Sequence, residues 1–114
     1  MECLFCQIAQ HQIPAKIEYE DDEIIAFADI APKAPVHILI VPKKHIKSVK
    51  DVTEEDVNLI GQLIEKAADI AREKEIAETG FRLIFNSGKD SGQEMDHLHL
   101  HLLGGKNLGP MIQQ

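Results

Sequence analysis

Residues 97–103 read His-Leu-His-Leu-His-Leu-Leu. The histidines recur at every second residue, which is the period of a β-strand. A strand here places the three imidazoles on one face and the leucines on the other. Packing alone does not explain three adjacent imidazoles on one face of a sheet. The run therefore predicts that His97, His99 and His101 are exposed to water, paired, coordinated to a metal or used in catalysis.

The segments around this run predict an α+β fold. Apolar runs bounded by turn residues predict strands at 16–20, 23–28, 37–41 and 81–85. Helical periodicity predicts a short helix at 4–12 and a long helix that begins after Thr53 and stops at Gly80. The order of these elements predicts a mostly antiparallel sheet of about five strands, with one long helix and a short N-terminal helix.

The composition excludes several classes of protein. The 114 residues suit a single domain, 1–114, and 44% of them are hydrophobic, which is enough for a core. A net charge of −7 argues against general binding to nucleic acid or to a membrane surface, because both need a basic surface. The start Met1-Glu2-Cys3 lacks the features of a signal peptide, and no apolar run is long enough to span a membrane. We therefore expect a cytoplasmic protein.

Cys3 and Cys6 are the only cysteines of the chain. A structural disulfide is disfavoured in a reducing compartment, so metal binding or redox chemistry is the better interpretation. The Cys-x-x-Cys spacing supplies two of the four ligands that a structural zinc site needs. Thioredoxin-like surroundings are not visible, and two reduced thiols without a metal remain the alternative.

Several short motifs in a fixed order carry a resemblance to a known family. They are Phe-Ala-Asp-Ile at 27–30, Ala-Pro-Val-His at 34–37, Val-Pro-Lys-Lys-His at 41–45, Asn-Ser-Gly-Lys-Asp-Ser-Gly-Gln at 86–93, and the histidine run. This ordered set resembles the histidine triad nucleotide-binding family, most of all its Hint branch, over nearly the whole chain. Members of that branch hydrolyse nucleoside phosphoramidates. The resemblance therefore implies an enzyme with a HIT-like fold that cleaves purine nucleoside 5′-phosphoramidates.

The resemblance implies a role for each histidine of the run. His99 matches the nucleophile, which attacks the α-phosphorus and forms a nucleotidyl-histidine intermediate. His101 would contact the phosphate, and His97 completes the catalytic triad. Outside the run, the matching nucleotide-binding positions are Asp29 for the ribose hydroxyls, Asn86 and Gln93 for the sugar–phosphate region, and Leu4, Phe5, Ile8, Phe27 and Ile30 for the base. The expected ligands are purine nucleoside monophosphates, AMP or GMP, and their phosphoramidates.

The same resemblance implies a complete metal site. Some relatives hold zinc between an N-terminal Cys-x-x-Cys and two histidines. In this chain the corresponding set is Cys3, Cys6, His45 and His97, which would bind a structural Zn²⁺. A direct hydrogen bond between His45 and His97 is the alternative, and no catalytic metal is required.

A homodimer is also implied, with the long helix and the following edge strand pairing across a twofold axis into one continuous sheet. The helix carries apolar residues on more than one side, including Leu59, Leu63 and Ile70, which favours a partner.

Two residues depart from the pattern of the family. Glu94 stands where several members carry serine, and Asp96 stands where an aromatic residue is often found. An ionised glutamate cannot donate the hydrogen bond that a serine donates, so the leaving-group preference and the rate are the properties most affected.

Three alternatives to a phosphoramidase stay open at this point. A dinucleoside polyphosphate hydrolase would share the histidine triad and differ in its products. A nucleotide-binding or scaffold protein would bind AMP with little turnover. A zinc-binding structural module would bind the metal and have no affinity for nucleotides.

Overall fold

A computed structural model describes residues 3–112 of the chain. In chain order the elements are α1 (Leu4–Ala9), β1 (Ile17–Glu20), β2 (Ile24–Ala28), β3 (Val36–Pro42), α2 (Val57–Glu73), β4 (Phe81–Phe85) and β5 (Leu100–Gly104). The strands form one sheet in the order β1-β2-β3-β5-β4, and all neighbours are antiparallel. The predicted α+β architecture is confirmed. Met1 and Glu2, on which the expectation about a signal peptide rests, lie outside the described residues.

The long helix α2 covers one face of the sheet. Alternate residues of the central strands point to this face because side chains alternate along a strand. They pack with the buried face of α2 into one cluster, whose members from β2, β3, α2 and β5 include Ile24, Ala26, Ile38, Ile40, Leu63, Ala67, Ile70, Leu100 and Leu102. This side of the sheet is a closed apolar core.

The short helix α1 covers only part of the opposite face. Its Phe5 and Ile8 pack on Phe27 of β2 and Leu39 of β3. Leu39 pairs with His101 on β5, and His101 in turn pairs with Ile84 on β4, so these residues continue the same face beyond the helix. The face thus has a part covered by α1 and a part, over β5 and β4, that no helix covers.

The predicted helix ends were wrong at both C-termini. The first helix ends at Ala9 rather than at residue 12, and the long helix ends at Glu73 rather than close to Gly80. In each case the residue after the C-cap, His11 or Glu75, has φ of 60°. Each turn closes with the paired bonds of a Schellman motif, such as Ile76 N to Ala71 O at 3.0 Å. Glycine is the residue that usually signals this ending, and neither helix uses it.

The expectation that all three histidines of the run lie on a strand was also wrong, because β5 begins at Leu100. Ile40 of β3 pairs with Leu100, so the next two pairs along the ladder would join Val41 to His99 and Pro42 to Leu98. Proline has no N–H to donate, and the ladder stops there. The Leu98 N–H instead donates to Ile46 O at 2.6 Å. His97 and His99 therefore lie in the segment just before the strand.

The side chains cited for a dimer are mostly core residues. Leu63 and Ile70 are 0% and 3% exposed, whereas Val57 and Ile64 on the same helix are 60% and 45% exposed. The homodimer stays a prediction. Among residues 3–112, no helix has the length and apolar character to cross a membrane. The cytoplasmic location stays a prediction as well.

Candidate active site

A cavity of about 1090 Å³ opens on the face that α1 covers only in part. Of the residues proposed for nucleotide binding or catalysis, it is lined by Leu4, Phe5, Ile8, Phe27, Asp29, Ile30, Asn86, His99 and His101. Ile30 is 99% exposed, so it lies at the rim. His97 and Gln93 do not line the cavity. The remaining predicted residues come from α1, β2, β4 and β5, and the fold brings them to one place.

The His99 ring has one nitrogen committed to the backbone. Its Nδ1 lies 2.8 Å from the carbonyl oxygen of His97. A carbonyl oxygen only accepts, so we assign the ring proton to Nδ1, and the neutral ring then has its lone pair on Nε2. The edge of Phe5 packs against the ring with the centroids 5.2 Å apart. These two contacts fix the orientation of the His99 ring and leave Nε2 available as a nucleophile.

A chain of hydrogen bonds sets the tautomer of His101. The backbone N–H of Lys33 donates to His37 Nδ1 at 3.0 Å, so the ring proton of His37 is on Nε2. That Nε2 lies 3.0 Å from His101 Nδ1, which therefore accepts. The proton of His101 is then on its own Nε2. Asp29 Oδ2, 3.4 Å from His37 Nε2, stands beside the same proton.

Burial keeps these imidazoles neutral near pH 7. It lowers the pKa of His101 to about 4, and the neighbouring His99 and His37 rings act in the same direction. Burial is also the main cause of the lowered pKa of His37, against which the Asp29 carboxylate acts only partly. A neutral His101 with its proton on Nε2 is a hydrogen-bond donor for an anionic ligand.

The two predicted amide side chains have different surroundings. Asn86 follows β4 directly and lines the cavity. The side chain of Gln93 accepts from Gly88 N–H at 2.8 Å and donates to Lys47 O and Met95 O, both at 2.9 Å. Its polar atoms are engaged in holding the loop before the histidine run. The Asp29 carboxylate also accepts from Ala31 N–H at 2.8 Å, which fixes the turn after β2.

A second group of side chains lies on the other side of Phe5. Cys3, Cys6, His45 and His97 bring one potential ligand atom each to within 4.8 Å of the others. His97 Nδ1 is 3.2 Å from Cys3 Sγ, 3.6 Å from Cys6 Sγ and 3.1 Å from His45 Nδ1. His97 Nε2 is 2.8 Å from Pro42 O and donates to it, which leaves Nδ1 with the lone pair. We call these four residues the Cys/His cluster.

The geometry of the Cys/His cluster fits a tetrahedral zinc ion. Zinc binds thiolate sulfur at about 2.3 Å and imidazole nitrogen at about 2.0–2.1 Å, so the ligand atoms of a tetrahedral site are roughly 3.3–3.8 Å apart. The contacts of 3.1–3.6 Å around His97 Nδ1 and Cys6 Sγ are close to these values. The bond from His97 Nε2–H to a carbonyl is the outer contact that usually orients a zinc-bound histidine.

Comparison with known proteins gives a consistent assignment. Residues 2–114 match the family described as "Scavenger mRNA decapping enzyme C-term binding". The crystal structure of a HIT family hydrolase from Legionella pneumophila superposes with a TM-score of 0.93 at 47% sequence identity, covering 95% of this chain and 96% of that one. This chain belongs to the histidine triad family.

Further members of the histidine triad family bear on both parts of the site. The purine nucleoside phosphoramidase of Escherichia coli K12 is 49% identical over 97% of this chain and 93% of its own length. A zinc-bound histidine triad family protein from Mycobacterium smegmatis superposes with a TM-score of 0.80 at 32% identity, covering 95% of this chain and 78% of that one. The family and fold expected from the sequence are confirmed.

Sequence reasoning missed His37. It lies at the start of β3 and pairs with Leu103, so it is a diagonal neighbour of His101 across the two strands. The available signal was a lone histidine at the start of an otherwise apolar strand. It meets the histidine run because β3 pairs with β5. That pairing is not readable from local sequence patterns.

Proposed function

We propose that this chain hydrolyses purine nucleoside 5′-phosphoramidates through a nucleotidyl intermediate on His99. The observation that carries the proposal is the hydrogen bond from His99 Nδ1–H to His97 O at 2.8 Å, because it leaves Nε2 unprotonated inside the cavity. The 49% identity to the E. coli phosphoramidase supports the reaction class. Oriented neutral imidazoles suit this chemistry, since they are nucleophilic at neutral pH.

The nucleoside would enter on the side of α1. Phe5 and Phe27 meet edge to face at 5.5 Å and form an apolar wall that suits a purine base. Asp29 is half-buried beside this wall, and its Oδ2 can accept hydrogen bonds from ribose hydroxyls. In this orientation the 5′-phosphorus lies next to His99, and Asn86 faces the phosphoryl oxygens.

The reaction would proceed in two steps. In the first, the lone pair of His99 Nε2 attacks phosphorus, the P–N bond breaks, and the amine leaves opposite His99 and takes its proton from solvent. In the second, water attacks phosphorus and gives one proton to solvent, the P–Nε2 bond breaks with its electron pair going to Nε2, and AMP or GMP leaves with a neutral His99. His101 Nε2–H donates to a phosphoryl oxygen in both steps and stabilises the charge that develops there.

We also propose that the Cys/His cluster holds a structural Zn²⁺, with Cys3, Cys6, His45 and His97 as ligands. The fit of the four ligand atoms and the zinc-bound M. smegmatis relative support this. Bound there, the ion would supply a cross-link between α1 and the segment before His99, with no part in the chemical steps. His97 would then act through its position, as a ligand and as the carbonyl that orients His99.

A homodimer is the further proposal for assembly. β4 is an edge strand of the sheet, and all five of its residues are only partly buried. Val57 and Ile64 of α2 are exposed apolar residues. Pairing of two β4 edges would satisfy their free backbone groups and give one continuous sheet. Sedimentation that shows a monomer at micromolar concentration would reject this.

The test of function is the hydrolysis of adenosine 5′-phosphoramidate by the wild type, His99→Ala and His11→Ala. His11 is an exposed histidine paired with Glu20 and serves as the matched control. We expect His99→Ala to lose about 10⁴-fold or more in kcat, His11→Ala to retain the wild-type rate, and intact-mass analysis to detect an AMP adduct only when His99 is present. AMP binding without turnover in the wild type would contradict the proposal and favour a nucleotide-binding protein. Faster cleavage of a diadenosine polyphosphate would favour the polyphosphate hydrolase.

A further inference from the structure

The walls of the cavity carry a charge opposite to that of the whole chain. The chain has a net charge of −7, yet the cavity is lined by four cations, Lys16, Lys33, Arg82 and Lys106, and by two carboxylates, Asp29 and Glu94. In the part of the chain that the structure describes, none of the four cations forms an ion pair. The cations that do are Lys43, Lys44, Lys66, Arg72 and Lys74, all outside the cavity. A local excess of unpaired positive charge in a cleft attracts anions.

Two of these cations, Arg82 and Lys106, line the part of the cavity formed by β4 and the segment after β5. On β4, Ile84 pairs with His101 and Arg82 pairs with Leu103, so Arg82 is a diagonal neighbour of His101, at about 7–8 Å between backbones. Arg82 Nη2 donates to Gly109 O at 2.9 Å, which holds the guanidinium against residues 106–109. Lys106 is exposed on that segment, and both side chains line the cavity.

The order of the strands determines what these cations can meet. Across the face the order is β2, β3, β5, β4, and one row across it is Phe27, Leu39, His101 and Ile84. Arg82 lies two residues before Ile84 on β4, on the same face. The proposed base slot lies over β2 and β3, and the phosphorus lies over the histidines before and on β5. The part of the cavity over β4 and residues 106–109 is then left for the amine that departs from phosphorus.

The cavity carboxylate Glu94 lies towards the other end of β5. Glu94 lies on the loop before the histidine run. Lys106 lies two residues after Gly104, the last residue of β5, and Arg82 pairs with the neighbouring Leu103. β5 runs from Leu100 to Gly104, which separates its ends by roughly 14 Å at the usual rise per residue. Among the described residues, Glu94 forms no ion pair with either cation, and Asp29 is engaged with Ala31 N–H and His37.

We propose that Arg82 and Lys106 bind a carboxylate on the leaving amine, so that this enzyme favours nucleoside phosphoramidates of amino acids with a free carboxylate. The inference rests on the proposed phosphoramidase function and deepens it by naming the charge of the leaving group. Arginine suits a carboxylate because its fork of N–H groups can donate two parallel hydrogen bonds. Lys106 adds a second, more exposed positive charge at the same end.

The test uses two substrates that differ by one charge. AMP joined through its phosphorus to the amine of glycine carries a carboxylate, and AMP joined to glycinamide carries a neutral amide of nearly the same size. The measured quantity is the ratio of kcat/KM for the glycine substrate to that for the glycinamide substrate. In the wild type we expect this ratio to exceed one and to fall as ionic strength rises, because exposed charges are screened by salt.

Matched variants test whether the two cations cause the preference for the glycine substrate. Arg82→Gln and Lys106→Gln should each lower the ratio by about two- to fivefold, the range for partly exposed ion pairs. Lys50→Gln removes the same charge from an exposed lysine outside the cavity and should leave the ratio unchanged. Because each variant serves as its own reference through the glycinamide substrate, a loss of folded protein does not alter the ratio.

The outcomes separate the inference from the function on which it rests. A ratio of one or below in the wild type, with the glycinamide substrate hydrolysed, overturns the carboxylate subsite and retains the phosphoramidase. A ratio above one that Lys50→Gln lowers as much as Lys106→Gln also overturns the subsite, because net charge then explains the preference. If neither substrate is hydrolysed by the wild type, the proposed function and the inference both fail.

Discussion

The molecule contains two histidine clusters that differ in how the second ring nitrogen is used. In the Cys/His cluster, His97 Nε2 donates to Pro42 O and its Nδ1 faces two thiols and another imidazole. In the cavity, His37 Nδ1 accepts from the Lys33 N–H, so its Nε2 carries a proton towards His101. The first ring offers a lone pair to its neighbours and the second offers a proton. A backbone carbonyl in one case and a backbone N–H in the other make the difference.

This difference decides which cluster suits a metal. Asp29, His37 and His101 also bring three potential ligand atoms within 4.8 Å of one another. A metal at His37 Nε2 would require the ring proton to move to Nδ1. Two donors, Nδ1–H and the Lys33 N–H, would then face each other with no acceptor between them. Distances between the potential ligand atoms are thus similar in the two clusters. The backbone partner of a single ring nitrogen distinguishes a ring that suits a zinc ion from a ring that suits donation of a proton.

The largest effect expected from this comparison is on metal content. Cys3→Ser combined with Cys6→Ser should lower bound zinc from about one equivalent per chain to none, since two of four ligands are lost. His37→Gln should leave the zinc content unchanged. Elemental analysis of the purified proteins measures both, and zinc lost from His37→Gln would remove the distinction between the clusters.

The next effect is on turnover. His37→Ala removes the proton that fixes the tautomer of His101, and kcat should fall by about 10²-fold, the lower end for groups that assist proton transfer. The amide of His37→Gln can still donate towards His101 and should recover part of the rate. Steady-state kinetics with adenosine 5′-phosphoramidate measure the two variants. Equal rates in His37→Ala and His37→Gln would contradict a role for a hydrogen-bond donor at this position.

A smaller effect concerns stability and pH. The folded-state pKa of His101 is about 4, below the ordinary value near 6.5, because of burial beside His99 and His37. Between these two values the unfolded chain binds the proton and the folded chain does not, so the free energy of unfolding rises as the pH rises from about 4 to 6.5. The charged groups nearest this site, Asp29 and Lys33, act on His101 in opposite directions.

Urea unfolding of the wild type and of His101→Asn at several pH values between 4 and 7.5 measures this dependence. The wild type should lose more stability towards low pH than the variant, because asparagine does not titrate. A steeper loss in His101→Asn than in the wild type would contradict the assignment of a lowered pKa to His101.

The smallest effect tests whether the two clusters communicate. Phe5 stands between them, with its ring centroid 5.9 Å from that of His97 and 5.2 Å from that of His99. Nucleotide that packs on Phe5 should therefore tighten zinc binding, and zinc should tighten nucleotide binding by the same factor, about fivefold. Competition with a chromophoric chelator in the presence and absence of AMP reads the zinc affinity directly. An unchanged zinc affinity would mean that both clusters contact Phe5 but that binding at one does not affect binding at the other.

The strands were predictable because their signals are local. The segments 81–85 and 37–41 are apolar runs bounded by glycine or proline, and the structure has β4 and β3 there. The helix ends were not predictable, because the residues that end them with a positive φ are His11 and Glu75, and not the glycine that usually marks such an end in a sequence. The start of β5 depended on Pro42 in a partner strand far along the chain, which local periodicity does not report.

The same contrast holds for the site. The resemblance to histidine triad proteins named some of the residues that line the cavity, including Asp29 and Asn86, and also His97 and Gln93, which do not line it. It did not indicate that the Gln93 side chain is engaged by its own loop, nor that His37 fixes a proton on His101. Motifs report which residue types recur at which spacing. The direction of each hydrogen bond depends on neighbours that only the paired strands bring together.

The short length of α1 has a consequence for how the protein is made. A helix of six residues is too short to be stable alone, so Leu4–Ala9 becomes stable only when it packs against the rest of the protein. The contact between Cys3 and His97 spans 94 positions of sequence. The first residues are synthesised long before the histidine run, so the contact that ties the start of α1 to residue 97 forms only after most of the chain has been translated. A nascent chain therefore lacks this contact, and α1 lacks its anchor on the histidine run, until synthesis has passed residue 97.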